Sequence, residues 1–218
     1  MTPIIETIKM LTLRALVSDE GLMYGLVLKG GNALELAYKM TDRASKDIDF
    51  SISGDFSEAE YNRISGILNG LLTSEFEKHN LVVFDVKFFE KPKKNALKEW
   101  KGYQLAFKVI DYETYTPDDE DRNRRRAFPV QENNSPVFTV DISSYEFTEP
   151  KQIVDIDGAV FFVYTPEMIV LEKLRALCQS DLQREDWVTV VDTIKVEDKG
   201  YDFYFDFVAE RIKELQSH

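Results

Sequence analysis

Two carboxylates separated by one apolar residue, Asp47-Ile48-Asp49, follow a Lys29-Gly30-Gly31-Asn32 stretch in this chain of 218 residues. In a β-strand successive side chains point to opposite faces, so Asp47 and Asp49 share one face while Ile48, Phe50 and Ile52 share the other. Two like charges that close together repel, and each raises the other's pKa unless a cation neutralises them. Hard oxygen ligands of this kind suit Mg²⁺, which completes its shell with water and phosphate. The same pattern also fits an exposed strand with two solvated aspartates. Glycine permits positive φ and lets backbone N–H groups approach an anion closely, and a helix start adds a favourable dipole. The Gly30-Gly31 pair is therefore either a phosphate cradle or an ordinary turn.

The elements that must position these residues are legible from periodicity. Leu26, Val27 and Leu28 read as a short buried strand, and residues 33–39 as a helix of strong helix formers, with the glycine pair at the turn between them. Residues 47–53 form the acidic strand. Thr2-Pro3 starts a first helix that carries Ile4, Ile8, Leu11 and Ala15 at helical spacing and ends near Gly21. Ser57 and Glu60 make a capping box for a helix running towards His79. Val82, Phe84, Val86 and Phe88 alternate as one strand and Tyr103, Leu105, Phe107 and Val109 as another, joined by a basic connection over 91–101. In the strand 137–143, Phe138, Val140 and Ile142 take the core face and leave Asp141 opposite, with Thr139 and Ser143. Asp155 and Asp157 also alternate, but Asp157-Gly158 is a hairpin signal between 153–156 and 159–164, so that pair is turn chemistry.

Residues 111–135 run from acidic, at Asp118 to Asp121, to basic, at Arg122, Arg124, Arg125 and Arg126. Such a segment is a solvated, self-neutralising loop, or one whose arginines contact an RNA backbone or an acceptor. Thr165 caps and Pro166 opens a helix, and 201–215 is a further amphipathic segment with Tyr204, Phe207, Val208, Ile212 and Leu215. The expected architecture is α+β, a mixed sheet flanked by helices over 1–164, with a small C-terminal helical bundle over 165–218 packed on it.

Composition narrows the function classes. The hydrophobic fraction of 44% argues for a packed globular core, and the formal charge of −12 argues against charge-driven coating of nucleic acid. The lone Cys178 excludes an internal disulfide, and His79 and His218 give no zinc pattern. No apolar run is long enough to span a bilayer, and no leader is evident, so the expected location is the cytoplasm and no membrane partner is expected.

The run Lys29-Gly30-Gly31-Asn32-Ala33-Leu34 followed by Arg43-Ala44-Ser45-Lys46-Asp47-Ile48-Asp49-Phe50 resembles the AbiEii-type nucleotidyltransferases, toxin components of abortive-infection and toxin–antitoxin systems within the polymerase-β-like superfamily. The resemblance continues in Glu172-Lys173-Leu174-Arg175-Ala176-Leu177, which is similar to the family's lysine-bearing helix. It weakens at Arg184-Glu185-Asp186-Trp187, where Glu185 replaces a basic residue and Thr189 replaces a second aspartate.

The resemblance implies a nucleotidyltransferase-like sheet and a Mg²⁺-dependent transfer of a nucleoside monophosphate from an NTP to an acceptor hydroxyl. It implies that Asp47 and Asp49 ligate the metal and that Asp141 is a third carboxylate able to draw the acceptor's proton. Lys29, Gly30, Gly31, Asn32, Arg43 and Ser45 would form the nucleotide-binding set, Lys173 would neutralise triphosphate charge, and Asp186 would orient Lys173 or contact substrate. The expected acceptor is RNA, plausibly a tRNA 3′ end, and the expected partner is a cognate antitoxin, in a role that includes phage defence. The alternatives are transfer to a small molecule or protein, and a non-catalytic module that binds nucleotide or a partner.

Overall fold

A computed structural model of the chain describes residues 3–39, 47–91, 101–131 and 133–179, the last seven as backbone only. The first helix, α1 (Pro3–Val17), is followed by a short α2 (Glu20–Gly25) and a two-residue strand β1 (Val27–Leu28). A helical turn α3 (Gly30–Asn32) continues as a π-helical segment over Ala33–Ala37, and β2 (Ile48–Ser51), α4 (Glu58–Glu77), β3 (Leu81–Lys91) and β4 (Gly102–Asp111) follow. Helix α5 (Glu120–Arg126), strands β5 (Phe138–Ser143), β6 (Lys151–Ile156) and β7 (Ala159–Tyr164), and helix α6 (Pro166–Gln179) complete the described chain. This is the expected α+β architecture; the segment 201–215 lies outside the described residues.

The seven strands form one sheet in the order β3-β4-β5-β2-β1-β7-β6. The sheet is mixed, because β2 runs parallel to β5 and β1 parallel to β7 while the other pairs are antiparallel. Alternation puts Phe50, Val140, Ile142, Tyr103, Leu105 and Phe107 into the core, all at 4% exposure or less. There they join Ile8, Leu11, Leu13 and Leu16 of α1 and Ile64, Leu68, Leu72 and Phe76 of α4. Phe76 meets Phe107 edge-on at 5.9 Å between centroids, a geometry the ring quadrupole favours. Polar side chains of the central strands are thereby left on the opposite face.

Local chemistry sets the element ends. Ser57 and Glu60 form the complete reciprocal capping box at the start of α4. The first helix stops at Val17 rather than near Gly21, because Asp19 accepts from Leu22 N at 2.9 Å and caps α2, while Arg63 of α4 donates to its other oxygen at 2.9 Å. Asp157 and Gly158 both have positive φ in the two-residue turn between β6 and β7, as a hairpin of this kind requires.

Strand β3 departs from simple alternation. Leu81 and Val83, not Val82 and Phe84, are buried, and the register against β4 shifts between Phe84 and Lys87. Asp85 sits in this bulge at φ 53° and hands the inward face over to Val86 and Phe88, which pack against the core. Arg124 and Lys108 donate to its carboxylate at 2.9 and 2.8 Å. One arginine of the charged segment is therefore tied to the sheet at this bulge, and residues Glu120–Arg126 of that segment form a short helix capped by Asp119.

The Arg124 hydrogen bond, with Lys108 behind it, holds the Asp85 carboxyl well below the usual carboxylate range. A depressed folded-state value contributes stability above the unfolded pKa of about 4 and loses it as pH falls through the folded value. Asp85→Ala at pH 7 is expected to cost about 1–3 kcal/mol in denaturant melts, combining lost charged hydrogen bonds with a side chain disfavoured at positive φ. Asp85→Gly recovers the backbone part alone, and the deficit of both variants shrinks below pH 4.

Candidate active site

The polar face of the sheet carries a row of side chains set by strand register. Asp49 of β2 lies directly beside Asp141 of β5, and Asp141 lies beside Gln104 of β4. One residue past the β1–β2 ladder, Lys29 N–H donates to the Asp49 carbonyl oxygen at 3.0 Å. Lys29, Asp49, Asp141 and Gln104 thus follow one another across four strands. Asp47 precedes the start of β2 and is exposed.

The glycine turn closes over this row. Gly30 has φ +66°, in the left-handed region, and a Cβ there would lie 3.4 Å from Asp49 Oδ2. The absence of a side chain keeps the carboxylate reachable. Asn32, fully buried, donates its amide to the Asp47 carbonyl oxygen and so clips the turn to the acidic strand. Its Oδ1 is buried with no partner among the described residues. Glu35 in the π-helical segment meets Lys9 of α1, a fully buried ammonium, at 3.1 Å, which pins the segment behind the turn.

Burial pushes the Asp49 carboxyl up to about 6; Lys29 pulls it down, and Asp141, Asp47 and Glu172 push it further up. This is how a buried carboxylate among like charges behaves without a cation. Asp141 is turned towards β4 and β3, where Gln104 and Lys91 donate to its Oδ1 at 2.9 and 3.2 Å. The donor set fits a hard divalent cation. Among the described residues no three acidic, histidine or cysteine side chains close into a cage on their own. A cation held here would therefore take its other ligands from water and phosphate, as Mg²⁺ ordinarily does.

Of the nucleotide-binding set expected from sequence, Lys29, Gly30, Gly31 and Asn32 are brought to the acidic strand, whereas Arg43 and Ser45 lie outside the described residues. Lys173 is described by its backbone, inside α6, and Asp186 lies outside the described residues. Lys29 is paired within the fold. Its ammonium, 10% exposed, donates to Glu172 Oε1 at 3.0 Å and to Ser143 Oγ at 3.2 Å, with Glu146 Oε1 at 3.8 Å. Sequence reasoning missed Glu172, Glu146, Gln104 and Lys91, whose places depend on register and on a helix docking far along the chain. A cavity of about 500 Å³ opens beside Asp47, lined also by Val130, Gln131, Asn133, Val137, Phe138 and Thr139.

A mixed sheet whose central strands present carboxylates to a glycine turn has the architecture of a nucleotidyltransferase-like α+β domain. The chain belongs to the AbiEii family: the family's sequence model, described as the nucleotidyl transferase AbiEii toxin of a type IV toxin–antitoxin system, matches residues 12–187. Among solved structures it is similar to a protein from H. pylori that is provisionally assigned as a nucleotidyltransferase, at 19% identity and a TM-score of 0.43. That match covers 78% of this chain and 56% of the other, so the chain spans little more than half of that protein's length. No curated protein matches the chain. No helix among the described residues is long and apolar enough to cross a membrane.

Proposed function

We propose that this protein transfers a nucleoside monophosphate from an NTP to the hydroxyl of an RNA acceptor, a tRNA 3′ end, and acts as a toxin restrained by a cognate antitoxin in phage defence. The observation that carries the reading is the register of β2 and β5, which sets Asp49 beside Asp141 in front of the Gly30 turn. Family membership supplies the reaction class.

In this reading Asp47 and Asp49, with Asp141 beside them, hold Mg²⁺, which when bound screens the phosphate charge and acidifies the attacking hydroxyl. The backbone N–H groups of Gly30 and Gly31 receive the β- and γ-phosphates, helped by Ser45 and Arg43 from the segment before the acidic strand. Lys173 neutralises the triphosphate as a point cation, and Asp186 orients Lys173 or contacts the substrate. A carboxylate oxygen of Asp141 takes the acceptor's proton as the hydroxyl oxygen bonds to the α-phosphorus, the bond to the β-phosphate breaks and pyrophosphate leaves. The site works in the cytoplasm, where NTP and RNA are both available.

The formal charge of −12 favours a second reading, in which the acceptor is a small molecule or a protein rather than RNA. Incubation with each α-³²P-labelled NTP, Mg²⁺ and total RNA separates the two. The expected result is label in small RNA, abolished by EDTA. Label confined to protein or metabolites supports the second reading, and no incorporation at all contradicts both.

A further inference from the structure

We propose that Glu172 is a positioning residue: through its ion pair with Lys29 it fixes helix α6, and with it Lys173, against the glycine turn that receives the nucleotide. The inference rests on the functional reading above and adds a residue and a coupling to it. Lys29 is bound twice. Its backbone N–H donates to the Asp49 carbonyl oxygen at 3.0 Å, tying it to the acidic strand. Its side chain, 10% exposed, reaches Glu172 Oε1 at 3.0 Å and Ser143 Oγ at 3.2 Å, with Glu146 Oε1 at 3.8 Å. One ammonium thereby links β1, β5, the segment after β5 and α6.

The neighbours of the pair in sequence give it meaning. Gly30, at φ +66°, directly follows Lys29, and Lys173 directly follows Glu172 on α6. The two residues that precede the proposed phosphate-binding elements are bonded to each other. A shielded pair of this kind adds little net stability, since desolvation offsets most of its Coulomb attraction, and its best-attested use is to select one arrangement. The arrangement selected here is the distance between turn and helix. Misplacing a binding group by about 1 Å is enough to cost on the order of 100-fold.

The test is a double-mutant cycle on the full chain, reading NTP affinity by direct titration together with KM, kcat and Tm. Glu172→Ala is expected to weaken NTP affinity about 10- to 100-fold at temperatures where native and variant are both folded. Glu172→Gln, which keeps an acceptor for Lys29, falls between the two. In a Lys173→Met background the further loss from Glu172→Ala shrinks to about twofold or less, because the group being positioned has gone. Unchanged affinity in Glu172→Ala, or a loss that is fully additive with Lys173→Met, overturns the coupling. A native protein that neither binds nor transfers nucleotide overturns the functional reading beneath it, and the coupling falls with it.

Discussion

Asp49→Asn should abolish nucleotide transfer and at the same time make the metal-free protein more stable at neutral and alkaline pH. Burial, chiefly, pushes the carboxyl up to about 6, well above the ordinary aspartate range. A group whose folded-state pKa is raised contributes stability that is complete below the unfolded value and is lost as pH rises through the folded value. The metal-free native protein is therefore expected to lose up to about 3 kcal/mol from this group between about pH 4 and pH 7, each pKa unit corresponding to about 1.4 kcal/mol. The amide has no charge to bury, so Asp49→Asn omits that decline, and its melting temperature in EDTA at pH 8 should exceed that of the native chain. Transfer should fall by about a thousandfold or more if Asp49 holds the cation as proposed, since a bound cation supplies several kcal/mol of charge stabilisation at the phosphates. Added Mg²⁺ should stabilise the native protein and leave the variant unchanged. Equal melting curves across this pH range would show that Asp49 does not carry the buried charge, and retained transfer that it does not hold the cation.

Gly30→Ala is the second large effect, and it arises from backbone geometry and proximity together. At φ +66° an alanine costs about 1–2 kcal/mol relative to glycine. Its Cβ would also stand in van der Waals contact with Asp49 Oδ2, 3.4 Å away, and cover the approach to the carboxylate. Transfer is expected to drop about 10- to 100-fold, with a modest fall in melting temperature, because a displaced ligand loses near-attack geometry faster than the fold loses stability. Gly25→Ala is the control, since nothing lies within 4 Å of a Cβ there. Steady-state kinetics on both variants separate the two outcomes, and equal activity of Gly30→Ala and Gly25→Ala would mean that the turn does not shape the site.

Much of the candidate site is legible in the sequence, and the limits have physical causes. Asp47-Ile48-Asp49 and Thr139-Val140-Asp141-Ile142 each announce a two-faced strand, since alternation is a local property of the chain. Ser57 with Glu60, and Asp157 with Gly158, are legible for the same reason. That β2 and β5 pair in parallel and put Asp49 beside Asp141 is not local, and nothing in either segment encodes the partner's register. Asp85 shows the converse failure. Its neighbours alternate well enough to read as a regular strand, but Arg124 and Lys108 stabilise a bulge that exchanges the strand's faces. Lys29 was legible as a cation beside a glycine turn, whereas its engagement by Glu172 depends on where a helix far along the chain docks.

The central proposal is that Asp49, with Asp47 and Asp141 near it, holds a divalent cation that takes its remaining ligands from water and the triphosphate in front of the glycine turn. It is tested most directly by titrating Mn²⁺ into the full chain with a non-hydrolysable NTP analogue, reading bound metal by electron paramagnetic resonance. The native protein is expected to bind the ion, with affinity at least about tenfold lower in Asp49→Asn. Metal binding of equal strength in native and variant, or none in the native protein with nucleotide present, would contradict it.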